Sequence, residues 1–150
     1  MIEACLNSRP ITPLSNDPTD LSALTPGHFL IGDTLMSPPQ HDVKDVPTTR
    51  LSRYQALEKL RQHFWTRWSK EYLHQLQQRG KWHKTRQPGG PLGHLVLLRE
   101  DNLPLQHWIM GRISEYHPGA DGITRAVSVK TVRGVVKRAL VKVCPLPIDD

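Results

Sequence analysis

The last third of the chain carries the pattern that most narrows its fold. From Leu92 to Pro147, four segments rich in apolar and β-branched residues alternate with turn-forming residues at intervals of about 10–15 residues. The turns include residues 117–122, which hold two glycines, and a tight hairpin at residues 132–135. Such a succession of short strands is typical of a small antiparallel β-barrel. Because about 55 residues bury only a marginal core alone, we expect this barrel to pack against the segment that precedes it.

The four segments predict the strands of this barrel. Leu95–Leu98 is a continuous apolar run, and the second segment extends from Trp108 to Tyr116. In residues 123–130, alternate positions are more apolar, so one face of the third strand is predicted to be buried. The fourth strand is predicted to run from Val136 to Val143, and Cys144–Pro147 ends the pattern.

A long amphipathic helix is predicted ahead of the barrel, within residues 48–79. Residues 51–78 contain neither proline nor glycine. Thr48 and Thr49 offer an N-cap, and Gly80 offers a C-terminal stop. One side of the helix collects the large apolar residues Tyr54, Leu57, Leu60, Phe64, Trp65, Trp68, Tyr72 and Leu76. The opposite side carries Lys59, His63, Arg67, Lys70 and His74. This basic side is either solvated or also in contact with phosphates, and the apolar side needs burial in both cases.

Residues 1–47 are predicted to be irregular, because prolines interrupt residues 11–47 at positions 13, 18, 26, 38, 39 and 47. We expect their apolar side chains to pack on a protein body outside this chain; these are Leu21, Leu24, Phe29, Leu30 and Ile31. The predicted fold class is therefore α+β. An irregular proline-rich segment is followed by a long amphipathic helix and a small antiparallel β-barrel.

Residues 80–91 are predicted to be a basic linker between helix and barrel, and residues 148–150 a tail. Lys81, Lys84 and Arg86 lie close to Trp82 in this linker. A plain connection is one interpretation. The other is a nucleic-acid contact, in which the cations bind phosphates and the indole stacks on a base.

The net charge of +6 is unevenly distributed along the chain. Residues 1–47 hold two Lys/Arg against six Asp/Glu, residues 48–87 hold ten against two, and residues 88–150 hold eight against six. The basic excess therefore lies in the middle of the chain. A local excess of this kind indicates contact with a polyanion rather than general solubility.

The cysteine and apolar patterns predict an intracellular protein. Cys5 and Cys144 lie at opposite ends of the chain and are expected to be free thiols. No run reaches the roughly 18 apolar residues that a membrane span needs. Residues 1–6 lack the basic start and apolar run of a signal peptide. We therefore expect the protein in the nucleus and cytoplasm, without a membrane partner.

The sequence carries no recognisable catalytic or metal-binding pattern. From His63 onward the histidines form no i, i+4 pair, and no Cys-x-x-Cys accompanies them. From Thr48 onward no set of carboxylates has the grouping that two catalytic metal ions require. We expect no metal, no cofactor and no enzymatic activity from this chain.

Five blocks of the sequence together carry a family resemblance. They are Glu3–Ser15, Leu24–Gly32, Gln62–Leu73, Leu95–Leu98 and Gly111–Pro147. In this order they resemble the C-terminal integrase region of Pao/BEL-type LTR retrotransposon polyproteins. The resemblance implies the end of a catalytic core, then a connecting helix, then an SH3-like domain that binds DNA with little sequence preference.

The resemblance also implies that this chain is a fragment. The Asp, Asp, Glu metal triad of that family precedes the Asn-Ser-Arg-Pro block, which lies here at residues 7–10. No residue of this chain is therefore assigned to the triad. Two positions depart from the family: His94 stands where relatives commonly have Asp, and Ala139 stands where they often have Pro.

The predicted function is non-catalytic, sequence-nonspecific DNA binding, with the rest of the integrase polyprotein as a further partner. Phosphate contacts are predicted first from Arg133, Lys137 and Arg138, around the last hairpin. The other candidates are Arg112, Lys130 and Lys142 in the barrel, Lys81, Lys84 and Arg86 in the linker, and Lys59, Arg67 and Lys70 on the helix.

Two alternatives remain open from the sequence. Small barrels also bind histone tails through an aromatic cage for methyl-lysine, for which Trp108 and Tyr116 are candidates, although both are also explained as core residues. The chain could instead self-associate through the helix stripe of Phe64, Trp65, Trp68 and Tyr72.

Overall fold

One long helix and a five-stranded antiparallel sheet form the fold, which confirms the α+β class. The structure is a computed structural model that describes residues 2–77 and 90–147. The helices are α1 (Ile2–Asn7), α2 (Pro26–Ile31) and α3 (Arg53–Leu76). The strands are β1 (Thr12–Pro13), β2 (Ala23–Leu24), β3 (Leu95–Leu98), β4 (Ile109–Pro118), β5 (Thr124–Thr131), β6 (Gly134–Ala139) and β7 (Val143–Pro145). The predicted helix stop at Gly80, most of the 80–91 linker and the 148–150 tail lie outside the described residues.

The sheet is ordered β6-β5-β4-β3-β7, and all neighbouring strands are antiparallel. The short strand β3 lies between β4 and β7. Its Leu97 pairs with Met110 on one side and with Cys144 on the other. All four residues of β3 are buried, as the continuous apolar run predicts for a strand covered on both faces.

The prediction of a single last strand from Val136 to Val143 is wrong. Strand β6 ends at Ala139, and Leu140–Lys142 form one 3₁₀ turn. The chain then enters β7, which pairs with β3 at the other edge of the sheet. This change of direction adds a fifth strand and buries Val143 and Cys144.

The sheet has an apolar cluster on each face. On the inner face, Val96 and Leu98 pack with Val127, Val129 and further residues of β4 and β7. On the outer face, Leu95 and Leu97 pack with Leu73 of α3 and Ala23 of β2. The preceding segments therefore cover the outer face of the sheet, which confirms the expectation that the C-terminal strands pack against what comes before them.

Helix α3 begins later than predicted, because its cap is Ser52 rather than Thr48 or Thr49. Residues 48–50 form a separate 3₁₀ turn, and Leu51 is extended. The Gln55 backbone N–H then donates to Ser52 Oγ at 3.3 Å, and the Ser52 backbone N–H donates to Gln55 Oε1 at 2.9 Å. This reciprocal pair is a capping box, with the glutamine three residues after the serine.

The first half of α3 buries a polar side, contrary to the predicted apolar stripe. Gln62 accepts from the Val43 backbone N–H at 3.0 Å and donates to the His41 carbonyl at 2.9 Å. Beside it, buried Glu58 pairs with Arg61 at 2.9 Å. The backbone of the irregular segment before the helix finds its hydrogen-bond partners in the Gln62 side chain. This is why the polar side of α3 faces inward. The apolar residues of this half are consequently exposed; they are Tyr54, Leu57 and Leu60.

The second half of α3 packs its aromatic side on the sheet, as predicted. The Trp108 ring lies edge-on to Trp65, Trp68 and Tyr72, with ring centroids 4.9–5.9 Å apart. The Tyr72 hydroxyl donates to the Pro10 carbonyl at 2.8 Å. The proposed self-association stripe is thus engaged within the chain, and self-association through it stays a prediction.

The N-terminal segment contributes to this packing only in part. The expectation that Leu21 packs on a protein body outside this chain is wrong, because Leu21 packs against the outer-face cluster. Phe29, Leu30 and Ile31 on α2 are 61–75% exposed. Among the described residues, no helix is long and apolar enough to cross a membrane.

Candidate nucleic-acid interface

The β5–β6 hairpin carries a group of exposed cations at the edge of the sheet. Its turn is formed by Val132 and Arg133, between the paired residues Thr131 and Gly134. Gly134 has φ +116°, a conformation that suits glycine alone. The Thr131 hydroxyl donates to the Gly134 carbonyl at 2.8 Å and accepts from the Arg133 backbone N–H at 3.2 Å. The tip of the hairpin is therefore fixed by its own hydrogen bonds.

Strand alternation places two lysines of this hairpin on the outer face. Val127 and Val129 point inward, so Ser128 and Lys130 project outward. Ser128 pairs with Lys137, which makes Lys130 and Lys137 diagonal neighbours on adjacent strands. We call Lys130, Arg133 and Lys137 the cationic hairpin. All three are exposed, and no described residue forms an ion pair with any of them.

Arg112 does not belong to this surface, and its prediction as a phosphate contact is corrected. Its guanidinium donates to the carbonyls of Asp20, Gly93 and Ser15 at 2.9–3.0 Å. The residue is only 8% exposed. Its charge is used inside the protein, where it ties the N-terminal segment to the sheet.

Arg138 is also engaged, because it faces the other side of β6. It pairs with Val127 across the strands and reaches Glu100 at 2.8 Å. Both side chains of this ion pair are about one-third exposed. Of the three residues predicted first, Arg133 and Lys137 are therefore exposed without an ion-pair partner among the described residues, and Arg138 is paired.

The helix candidates do not converge on the hairpin either. Lys59 donates to the Val46 carbonyl at 2.6 Å, Arg67 pairs with Glu71, and Lys70 pairs with Asp101 of the β3–β4 loop. These last two ion pairs are largely exposed and contribute little to stability. Arg67 and Lys70 could each replace their carboxylate partner with a phosphate, whereas Lys59 is hydrogen-bonded to the backbone.

Lys142 is exposed and lines a small cavity of about 240 Å³ with Arg99, Asp101, Gln77 and Val141. Arg99 is a cation that the sequence interpretation missed, because its position beside Lys142 depends on the pairing of β7 with β3. The linker candidates Lys81, Lys84 and Arg86, with Trp82, lie outside the described residues.

One exposed arginine outside the predicted set is paired as well. Arg125 donates two hydrogen bonds to the Asp121 carboxylate, at 3.0 and 2.6 Å. These bonds and one from the Ile123 backbone lower the pKa of Asp121 to about 2. The pair therefore remains charged at neutral pH.

The two cysteines are free, as expected from the sequence, and both are buried. Burial raises the pKa of the Cys144 thiol to about 11 and also raises the pKa of Cys5. Both thiols are protonated at neutral pH and therefore poor nucleophiles.

The two candidate residues of a methyl-lysine cage lie apart. Trp108 belongs to the aromatic contact with α3 on the outer face, whereas Tyr116 packs against the inner-face cluster. The Tyr116 hydroxyl donates to the Gly90 carbonyl. Both residues pack against apolar clusters, in agreement with the alternative explanation that they are core residues. They do not form one cage.

No group of three or more His, Cys, Asp or Glu residues in the described ranges is arranged to hold a metal ion.

Comparison with known proteins places the chain in a family without assigning an activity. Neither a curated protein nor a solved structure matches the chain. Residues 52–146 match a family whose description is "Family of unknown function (DUF5641)". This match spans helix α3 and the whole five-stranded sheet. The chain belongs to DUF5641, a family of unknown function.

Proposed function

We propose that this chain is the non-catalytic, DNA-binding C-terminal part of a Pao/BEL-type retrotransposon integrase. The observation that carries the proposal is the cationic hairpin, where Lys130, Arg133 and Lys137 are all exposed on the β5–β6 hairpin. Such an arrangement suits the phosphate backbone, because it offers charge without a set of groups that could distinguish bases. Binding is then sequence-nonspecific.

The strand arrangement supports an SH3-like barrel as the fold of the DNA-binding unit. Strands β3 to β6 follow one another as neighbours, and the 3₁₀ turn Leu140–Lys142 leads into β7, which pairs with β3. The sheet thus curves round the inner cluster of Val96, Val127 and Val129. A curved five-stranded sheet with first and last strands paired is compatible with such a barrel.

The same proposal gives the exposed face of α2 a role. Phe29, Leu30 and Ile31 are large apolar residues that the chain leaves uncovered. They would contact the remainder of the integrase polyprotein, including the catalytic core. In this arrangement the metal-dependent chemistry belongs to that core, and the chain described here holds the DNA.

Salt dependence of DNA binding tests the proposal. The full chain is titrated by fluorescence anisotropy with two duplexes of unrelated sequence at several salt concentrations. We expect similar affinities for both, and a linear fall of log K with log salt. The triple variant Lys130→Gln, Arg133→Gln, Lys137→Gln should reduce the slope by up to about 2.7, since each neutralised phosphate contributes about 0.9.

A matched control separates this surface from total charge. Arg50, Arg53 and Arg125 are exposed cations outside the hairpin, and their triple change to Gln removes the same charge. This control variant should retain most of the slope of log K against log salt. A flat salt response of the unmodified chain, or equal slopes for the two triple variants, would contradict the proposal.

A further inference from the structure

The first half of helix α3 carries an uncovered apolar patch. Tyr54, Leu57 and Leu60 are spaced by three residues, so they lie on one side of the helix. Their exposed fractions are 59%, 46% and 67%. We call these three residues the α3 patch. Large apolar side chains that are exposed together commonly mark a site of protein interaction.

The exposed charges of α3 beside this patch are cationic. Arg53 and Arg67 are each seven residues from Leu60, so both lie on its side of the helix, one toward each end. Both arginines are exposed. Arg67 pairs with Glu71, but this ion pair is open to solvent and contributes little. The only acid in residues 48–70 is Glu58, which is 3% exposed. The helix therefore presents apolar surface with positive charge at both ends.

A second copy of this chain is a poor match for the α3 patch. If the Leu60 side chains of two copies met in an antiparallel pair, Arg53 of each copy would lie opposite Arg67 of the other. A parallel pair would place each arginine beside its own counterpart. Like charges beside an apolar seam disfavour the pairing of helices. The charge therefore favours a different partner.

Duplex DNA would satisfy the arginines but not the apolar side chains. Phosphates can neutralise Arg53 and Arg67, whereas a hydrated and charged backbone offers no apolar surface that would remove Leu57 and Leu60 from water. A protein helix with an apolar stripe and flanking carboxylates satisfies both requirements. Amphipathic helices commonly bind apolar surfaces through residues at i, i+3, i+4 and i+7.

We propose that the α3 patch docks an acidic amphipathic helix of another protein. The apolar stripe of that helix covers Leu57 and Leu60, and its carboxylates pair with Arg53 and Arg67. Charges beside the apolar seam of a coiled coil select the partner in the same way. This inference does not rest on DNA binding, since the α3 patch is separate from the cationic hairpin.

Two synthetic peptides that differ only in charge test the proposal. Both are about 21 residues long with Leu at heptad positions a and d, and positions e and g carry Glu in one peptide and Lys in the other. Like charges at e and g keep each peptide from pairing with itself. Fluorescence anisotropy with the full chain at low salt should show at least about tenfold tighter binding of the Glu peptide, and added salt should reduce the difference.

Substitution of the leucines tests the assigned surface. The double variant Leu57→Gln, Leu60→Gln should weaken binding of the Glu peptide at least about tenfold, because two leucines no longer become buried. Leu30→Gln, Ile31→Gln is the matched control on α2, where the two residues are 64% and 61% exposed. It should change the affinity by less than about twofold. All four residues are exposed, so the midpoint of thermal unfolding should change little in both variants.

Substitution of the arginines tests the assigned charge. The double variant Arg53→Gln, Arg67→Gln should reduce the preference for the Glu peptide over the Lys peptide to less than about threefold. Lys130→Gln, Lys137→Gln removes the same charge from the cationic hairpin and should retain most of the preference. This control separates the α3 patch from the net charge of the chain.

The proposal fails on any of four results. Equal affinities for the two peptides would show that charge does not select the partner. Equal losses for the two leucine and isoleucine variants would place the peptide elsewhere. A dimer in sedimentation equilibrium that Leu57→Gln, Leu60→Gln abolishes would identify a second copy as the occupant. Weaker binding of a duplex by the same variant would assign the α3 patch to DNA.

Discussion

Gly111 is the residue at which the sheet leaves the least room. It lies on β4 opposite Thr131, and a Cβ at this position would be 2.5 Å from Val129 Cγ1 and 2.7 Å from the Lys130 carbonyl oxygen. The second contact is with backbone, which cannot rotate away. We expect Gly111→Ala to lower the free energy of unfolding by about 1–3 kcal/mol, the usual cost of overpacking.

Urea denaturation followed by circular dichroism measures this loss. Gly122→Ala is not a suitable control, because Gly122 has φ +76° and Ala would be strained there. Glu115, exposed on the same strand, is suitable, and Glu115→Ala should change the free energy of unfolding by less than about 1 kcal/mol. Equal effects of the two substitutions would show that the backbone at Gly111 adapts.

Arg112 shows why charge in a sequence does not by itself identify a binding residue. Its apolar neighbours along the chain predict a strand, and the charge alone favoured a surface role. Its three carbonyl partners include Ser15 and Asp20, more than 90 residues away in sequence. No local pattern predicts such contacts. The same holds for the cleft between the N-terminal segment and the sheet, whose lining joins residues 8–36 to residues 106–132.

Local sequence patterns predicted which helices and strands exist. They predicted less well where each element ends and which of its faces is buried. The apolar run Leu95–Leu98 and the alternation that buries Val127 and Val129 specify strands directly. The 3₁₀ turn Leu140–Lys142, which separates β6 from β7, allows β7 to pair with β3. Because β3 is distant in sequence, no local sequence pattern predicts this turn. The exposed apolar residues in the first half of α3 have a similar cause. There Gln62 faces inward because it bonds the backbone of the irregular segment.

Substitutions at the N-cap of α3 test where this helix begins. Ser52→Ala removes the acceptor of the Gln55 backbone N–H and should cost about 1 kcal/mol of stability. Thr48→Ala, at the cap position that the sequence favoured, should cost less than about 0.5 kcal/mol, since no described hydrogen bond uses its hydroxyl. Chemical denaturation of both variants decides between the two caps. A larger loss for Thr48→Ala would contradict the observed helix start.

The outer-face cluster makes the whole molecule one packing unit, although its parts are distant in sequence. Leu73 of α3, Ala23 of β2 and Leu95 of β3 meet there and are each at most 5% exposed. Trp108 adds the aromatic contacts that hold α3 on the sheet. Separation of the helix would therefore uncover the outer side of β3. We infer that helix and sheet unfold together.

Two spectroscopic signals test this cooperativity. The helix signal at 222 nm in circular dichroism and the infrared amide I band of the antiparallel sheet should lose their native values at the same temperature. Leu73→Ala should lower both midpoints equally, with a loss of about 2–5 kcal/mol from the cavity it leaves. Leu60→Ala is the matched control on the same helix, and because Leu60 is 67% exposed it should cost less than about 1 kcal/mol. Separate transitions for the two signals would show that the sheet is stable without the helix, and the contacts between them would then position the DNA-binding surface rather than stabilise it.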